Sequence, residues 1–234
     1  QIKLVNNALD NKDRKVDALV LAASDYEAMV QVTEKAYDSG IPVIIIDSEV
    51  NTKKINSYVA TDNYKAGKEA GQVLVNVAGK DSNVAIVSFV RGTRSAEQRE
   101  EGLMDVISNY PNIKVVAKEY CLSNTNLAYN ITKEIISQYR RVDAVVALNE
   151  VASKGAAQAI NEMGLVGKVK VIAFDNTLQG IDYLESGVIQ ALVIQNPFSI
   201  GYIGVKFAVD ALQGKPIPRE YSIEPKVIDK DDMY

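Results

Sequence analysis

The chain alternates short, uninterrupted apolar runs with longer stretches in which apolar positions recur at helical spacing. Runs rich in Val and Ile occupy 17–23 (DALVLAA), 42–47 (PVIIID), 83–90 (NVAIVSFV), 113–117 (IKVVA), 142–148 (VDAVVAL), 169–174 (VKVIAF) and 189–194 (IQALVI). They lack the strict apolar/polar alternation of a half-exposed strand, so they read as strands covered on both faces, as in parallel sheets. Helical spacing fills the intervals 25–39, 63–78, 95–109, 125–139, 151–163, 177–186 and 198–213. In the last of these, Ile200, Ile203, Phe207, Val209 and Leu212 approximate one apolar stripe.

The punctuation agrees with that division. Asp25, Asp62 and Thr177 stand where helix N-caps belong. Gly40, Gly79, Gly164, Gly187 and Gly214 follow helical stretches, where a left-handed residue ends a helix. Pro42, Pro111, Pro216 and Pro218 fall in connections, and no low-complexity segment, flexible Gly/Ser linker or short repeat interrupts the pattern. Strand–helix alternation with short loops predicts an α/β fold of parallel sheets with helices on both faces. The opening QIKLVNNALDNKDRK reads as a helix leading into the run at 17–23. A doubly wound sheet begins with a strand, and that strand is central. The expectation is therefore a first sheet short of its start by roughly 30–45 residues, about one βα unit and a following strand.

Composition narrows the chemistry. The 234 residues are 47% hydrophobic, enough for one large core or two smaller ones. A formal net charge of −4 advertises no basic surface for nucleic acid or anionic membrane. The absence of histidine excludes His-dependent triads, His-ligated zinc and histidine general bases. Cys121, the single cysteine, reads as a buried inert thiol. No apolar run approaches the ~18 residues of a membrane span. Neither G-x-G-x-x-G nor G-x-x-x-x-G-K-[ST] occurs, so no nucleotide cofactor is expected. Asp10, Asp13 and the DKDD tail read as solvated charges, without the spacing of a calcium loop, and no metal is expected.

Candidate binding residues come from the strand ends. Open α/β sheets bind ligands in the crevice outside the carboxyl ends of their strands. Asp47 follows PVIII, Asn149 follows DAVVAL, Asp175 follows VKVIAF, Gln195 follows QALVI, and Arg99 lies a few residues past NVAIVSFV. Carboxylates accept from adjacent hydroxyls through charge-assisted bonds, and amides both donate and accept, so the set suits a small polyhydroxylated molecule. Each residue also has a plainer role to weigh. Asp47 and Asp175 could turn the chain, Asn149 could close a loop, Gln195 could be a hinge residue alone, and Arg99 could pair with Glu97 or Glu100 at the surface. Asp62 and Asn63 read as an N-cap region.

Six segments in order, IPVIIIDSE, YVATDNYKAGKEAG, GTRSAEQREEGL, ALNE, IAFDNT and ALVIQNPFSIG, resemble the sugar-binding periplasmic proteins of the ribose-binding type, over nearly the whole chain. The resemblance implies two Rossmann-like, flavodoxin-like lobes with parallel sheets. Three hinge crossovers join them, and the ligand is taken in the cleft between them by hinge bending. It implies a first lobe of 1–61 plus 196–221, incomplete at its start, and a second of 62–195 plus 222–234. Position by position it implies ligand contacts from Asp47 on the first lobe, Arg99, Asn149 and Asp175 on the second, and Gln195 at the hinge. Ser48, Ser123 and Phe174 are further candidates. Ser48 stands where the ribose binder carries an arginine, and Ser123 where an aromatic ring would stack on the sugar. The implied role is non-catalytic capture of a monosaccharide or similar polyol outside the cytoplasm, by a monomer, for an ABC transporter permease. A membrane sensor of sugars and the effector domain of a LacI-type regulator share the architecture and remain open. Enzyme chemistry by Asp47 and Asp175 lacks an accompanying nucleophile, metal set or cofactor loop.

Overall fold

The computed structural model describes residues 1–11, 13 and 16–233. The chain divides into two compact units, Gln1–Asp62 with Asn196–Glu224, and Asn63–Gln195 with Pro225–Tyr234.

The first unit is built on four parallel strands, β1 (Leu19–Leu21), β2 (Val43–Ile46), β3 (Ser57–Thr61) and β9 (Glu220–Ile223), in that spatial order. The run VIII of β2 shows why an unbroken apolar strand suits this sheet. Val43 and Ile45 pack with Val5, Leu21, Met29, Val32 and Ala36 from the side of α1 (Ile2–Leu9) and α2 (Val30–Asp38). Ile44 and Ile46 face Val59, Ile203, Phe207 and Ala208, on the side of α8 (Pro197–Leu212). Side chains alternate across a strand, so helices on both faces require apolar residues at every position. A Cβ at Gly204 would come 2.5 Å from Ile46 Cγ2, which lets α8 approach the sheet closely.

The second unit carries a six-stranded sheet in the order β10-β8-β7-β6-β4-β5. Its strands are β4 (Ser82–Ser88), β5 (Ile113–Tyr120), β6 (Ala144–Ala147), β7 (Lys170–Phe174), β8 (Ala191–Ile194) and β10 (Lys226–Asp229). Only β10 runs antiparallel, against β8. The helices are α3 (Asn63–Ala78), α4 (Arg94–Ile107), α5 (Thr125–Gln138), α6 (Glu150–Glu162) and α7 (Leu178–Glu185), and a 3-10 turn, Lys230–Met233, follows β10. Here too the central strands are buried on both faces, from Val84–Val87 through Ala144–Ala147 to Val171–Phe174.

Thr177 caps α7 as expected, its Oγ1 accepting from Gly180 N at 3.0 Å. The five glycines placed after helices all hold positive φ, from 65° to 82°. Asp25 differs from expectation. It accepts from the backbone of Glu27 and Ala28 within a turn, and α2 begins only at Val30. The stripe expected on α8 also divides. Ile200, Gly204, Phe207 and Ala208 are buried, whereas Val209 and Leu212 belong with Phe198, Tyr202 and Val205 on an exposed face. The helical step explains this, since 200, 204, 207 and 208 share one side and 198, 202, 205, 209 and 212 the other. Three strands, β3, β9 and β10, were not among the apolar runs.

Candidate ligand-binding site

In the second unit the strand-end residues gather around one stretch of main chain, Leu148–Glu150. Asp175 follows β7 with φ 68°, and its N–H donates to Val193 O of β8 at 3.0 Å. Its carboxylate is bracketed, with Oδ1 accepting from Gln195 Nε2 at 2.7 Å and Oδ2 from Glu150 N at 3.0 Å. Glu150 N lies at the start of α6, so the carboxylate sits against the positive end of that helix. Asn149 is the N-cap of α6, and its Oδ1 accepts from Ala152 N at 2.9 Å. The cap uses Oδ1 and leaves Nδ2 as the donor the side chain can offer.

Arg99 closes the set from the second turn of α4. It is only 4% exposed, which rules out the surface ion pair. Its Nη1 donates to Leu148 O at 2.7 Å, one residue before Asn149, and its Nε donates to Asn63 Oδ1 at 2.8 Å. The guanidinium lies 4.7 Å from the Phe174 ring centroid and 5.7 Å from that of Phe89. Planar, weakly hydrated arginine suits such burial between rings and carbonyls. Phe174 is 1% exposed, so its place is beneath Arg99.

Glu100 turns to the sheet instead. It accepts from Ser88 Oγ at 2.6 Å, Lys118 Nζ at 2.8 Å and Tyr120 OH at 3.0 Å. The bond to Glu100 holds the Lys118 ammonium above its ordinary pKa. Ser123 is exposed in the loop after β5, where Leu122 and Ser123 hold φ of 49° and 52° in succession. Cys121, at the start of that loop, is fully buried, and burial pushes its thiol pKa up.

In the first unit Asp47 repeats the Asp175 geometry. It follows β2 with φ 57°, and its N–H donates to Val59 O of the neighbouring strand at 2.9 Å. Tyr58 OH donates to the Asp47 carbonyl at 2.9 Å, and Ser48 Oγ donates to Oδ2 at 3.2 Å. Asp47 is exposed and Ser48 half-buried.

The structure therefore links Arg99, Asn149, Asp175 and Gln195 within one unit and sets Asp47 with Ser48 in the other. Sequence reasoning missed Asn63 and Phe89 as partners of Arg99. Asn63 stands 36 residues away in the chain, and no local spacing signals such a bond.

Parallel sheets that end in carboxylate, amide and guanidinium groups, in two similar units, define a binding protein for a small polar solute. The chain belongs to the periplasmic binding protein domain family, which it matches over residues 1–216. It is 27% identical over 228 residues to the ribose import binding protein of Salmonella typhimurium, covering 97% of this chain and 76% of that one. Among solved structures it resembles a periplasmic solute-binding protein of an ABC transporter from Actinobacillus succinogenes with bound D-allose. The TM-score is 0.91 and the identity 30%, over 98% of this chain and 82% of that one. A sugar transporter from Clostridium phytofermentans is 36% identical with a TM-score of 0.86, over 99% of this chain and 82% of that one. The chain is accordingly a binding protein and not an enzyme.

Proposed function

We propose that this protein captures a monosaccharide or similar polyol outside the cytoplasm, by hinge bending and as a monomer, and delivers it to the permease of an ABC transporter. The observation that carries this reading is the linked set of Arg99, Asn149, Asp175 and Gln195 at the carboxyl edge of one sheet. A carboxylate bracketed by two donors is held in one orientation, and a guanidinium and an amide beside it supply donors. Such an array matches vicinal hydroxyls, each of which both donates and accepts. Selectivity follows from the same groups, because an analogue lacking one hydroxyl leaves a buried polar group unpaired. Of the relatives named above, one is a ribose import binding protein and another holds D-allose, which makes D-ribose and D-allose the first sugars to test.

A thermal-shift screen of pentoses, hexoses and polyols tests the proposal. A sugar at 100 times its Kd adds about 2.7 kcal/mol of stability and raises the melting temperature by several degrees. Asp175→Asn tolerates the positive φ, keeps one oxygen for the Glu150 N–H and meets a Gln195 amide free to turn its own oxygen toward the new NH2, so it should still fold cooperatively without ligand and lose most of the sugar-induced shift. A panel that produces no shift at all removes sugar capture as the function. Full shifts in the Asp175→Asn variant remove Asp175 from the site.

A further inference from the structure

Arg99 is a buried cation, and a buried cation holds its place through its hydrogen bonds. Its fork is oriented by the Leu148 carbonyl on Nη1 and the Asn63 amide oxygen on Nε. The carbonyl belongs to the residue just past β6 and cannot be varied by substitution. Asn63 is a side chain, itself 4% exposed, at the first position of α3. A guanidinium only donates, so the amide must present its oxygen, and its orientation is settled by that bond.

The same helix also fixes the main chain of Arg99. One turn on, a Cβ at Gly67 would lie 2.1 Å from the Arg99 carbonyl oxygen and 2.9 Å from its Cα. Thus α3 meets α4 at Arg99, glycine against backbone, and its first residue reaches past that contact to the side chain. Rings of Phe89 and Phe174 define the slot in which the guanidinium lies but exert no directional hold on Nε. We infer that Asn63 is a positioning residue, which fixes the rotation of the Arg99 guanidinium and acts on sugar binding through it. This rests on the sugar-binding reading for its effect on affinity, and on geometry alone for its hold on Arg99.

The test has a ligand-free arm and a ligand arm. In 15N-labelled protein the Arg99 Nε–Hε resonance, identified by its loss in Arg99→Lys, exchanges slowly with water. In Asn63→Ala it shifts and broadens through exchange, and in Asn63→Asp, which keeps an acceptor at the same reach, it persists. An unchanged resonance in Asn63→Ala overturns the inference. In calorimetric titrations with D-allose and D-ribose, Asn63→Ala weakens the binding sugar by about tenfold or more, while Asn63→Asp stays within about threefold of the parent. In an Arg99→Lys background, which lacks Nε, Asn63→Ala costs nothing further. An equal loss in both backgrounds means that Asn63 acts on the fold rather than through Arg99, and overturns the inference. Failure of every sugar to bind, with the resonance responding as described, defeats the proposed function and leaves the hold of Asn63 on Arg99 standing.

Discussion

Asp47 and Asp175 each hold a left-handed backbone at the first position past a strand, φ 57° and 68°. That conformation costs an L-residue about 1–2 kcal/mol, least for Asn and Asp, whose short polar side chains form local bonds. Each aspartate keeps the ladder going for one more bond, to Val59 O or Val193 O, and then turns the chain out of the sheet. The conformation therefore accounts for residue type as well as position, since a β-branched side chain at such a φ is an outlier. Asp47→Val should lower the ligand-free melting temperature. Asp47→Asn should leave it nearly unchanged yet weaken sugar binding about 5- to 30-fold, the difference between a charge-assisted and a neutral hydrogen bond. Equal melts for the two variants would sink the strain argument, and parent-like sugar affinity in Asp47→Asn would exclude Asp47 from the site.

At the scale of elements, the proposed site depends on how closely α3 and α4 pack. A Cβ at Gly102 would lie 2.0 Å from Tyr64 O, and one at Gly71 would lie 2.8 Å from Val106 Cβ. Backbone at 2.0 Å has no flexible end to yield, so Gly102→Ala should part the helices and destabilise the protein by about 1–3 kcal/mol. The urea midpoint of unfolding should fall with little change of slope, and a midpoint equal to the parent's would show that the crossing is looser than it looks. Because Arg99 lies one turn before Gly102 on α4, the variant should also weaken sugar binding. The close crossing was not legible in the sequence, although the helices that form it were. Buried strands such as β4, β6 and β7 announce themselves as Val/Ile runs because helices cover both faces. By contrast β9 and β10 are largely exposed, and β3 is five residues interrupted by Ser and Tyr, so none carries that signal. Likewise the strand-end positions of Asp47, Asn149, Asp175 and Gln195 follow from where apolar runs stop. The burial of Arg99 does not, because its partners come from α3, from the residues just past β4 and β6, and from β7, far apart in the chain.

At the scale of the whole molecule, one atom reports on the opening of the second unit. Cys121 is the only cysteine, lies fully buried in that unit's core, and has a thiol pKa raised mainly by burial. The thiolate is the reactive species, and a raised pKa makes it scarcer at a given pH, so native protein at pH 8 should resist alkylating reagents for two reasons, access and ionisation. Labelling then requires the core around Cys121 to open. If that opening also dismantles the Arg99–Asn149–Asp175–Gln195 set, a bound sugar must leave first. The labelling rate should therefore fall by a factor of 1 + [L]/Kd, about 100-fold at 100 times Kd. The alternative is opening confined to the loop of Leu122 and Ser123, whose successive positive φ values mark local strain. In that case labelling would be fast and indifferent to sugar. Labelling of native protein over a range of D-allose or D-ribose concentrations, whichever binds, separates the two. Proportional protection places Cys121 and the sugar site in one cooperative unit, and a flat response shows that the loop opens without the site.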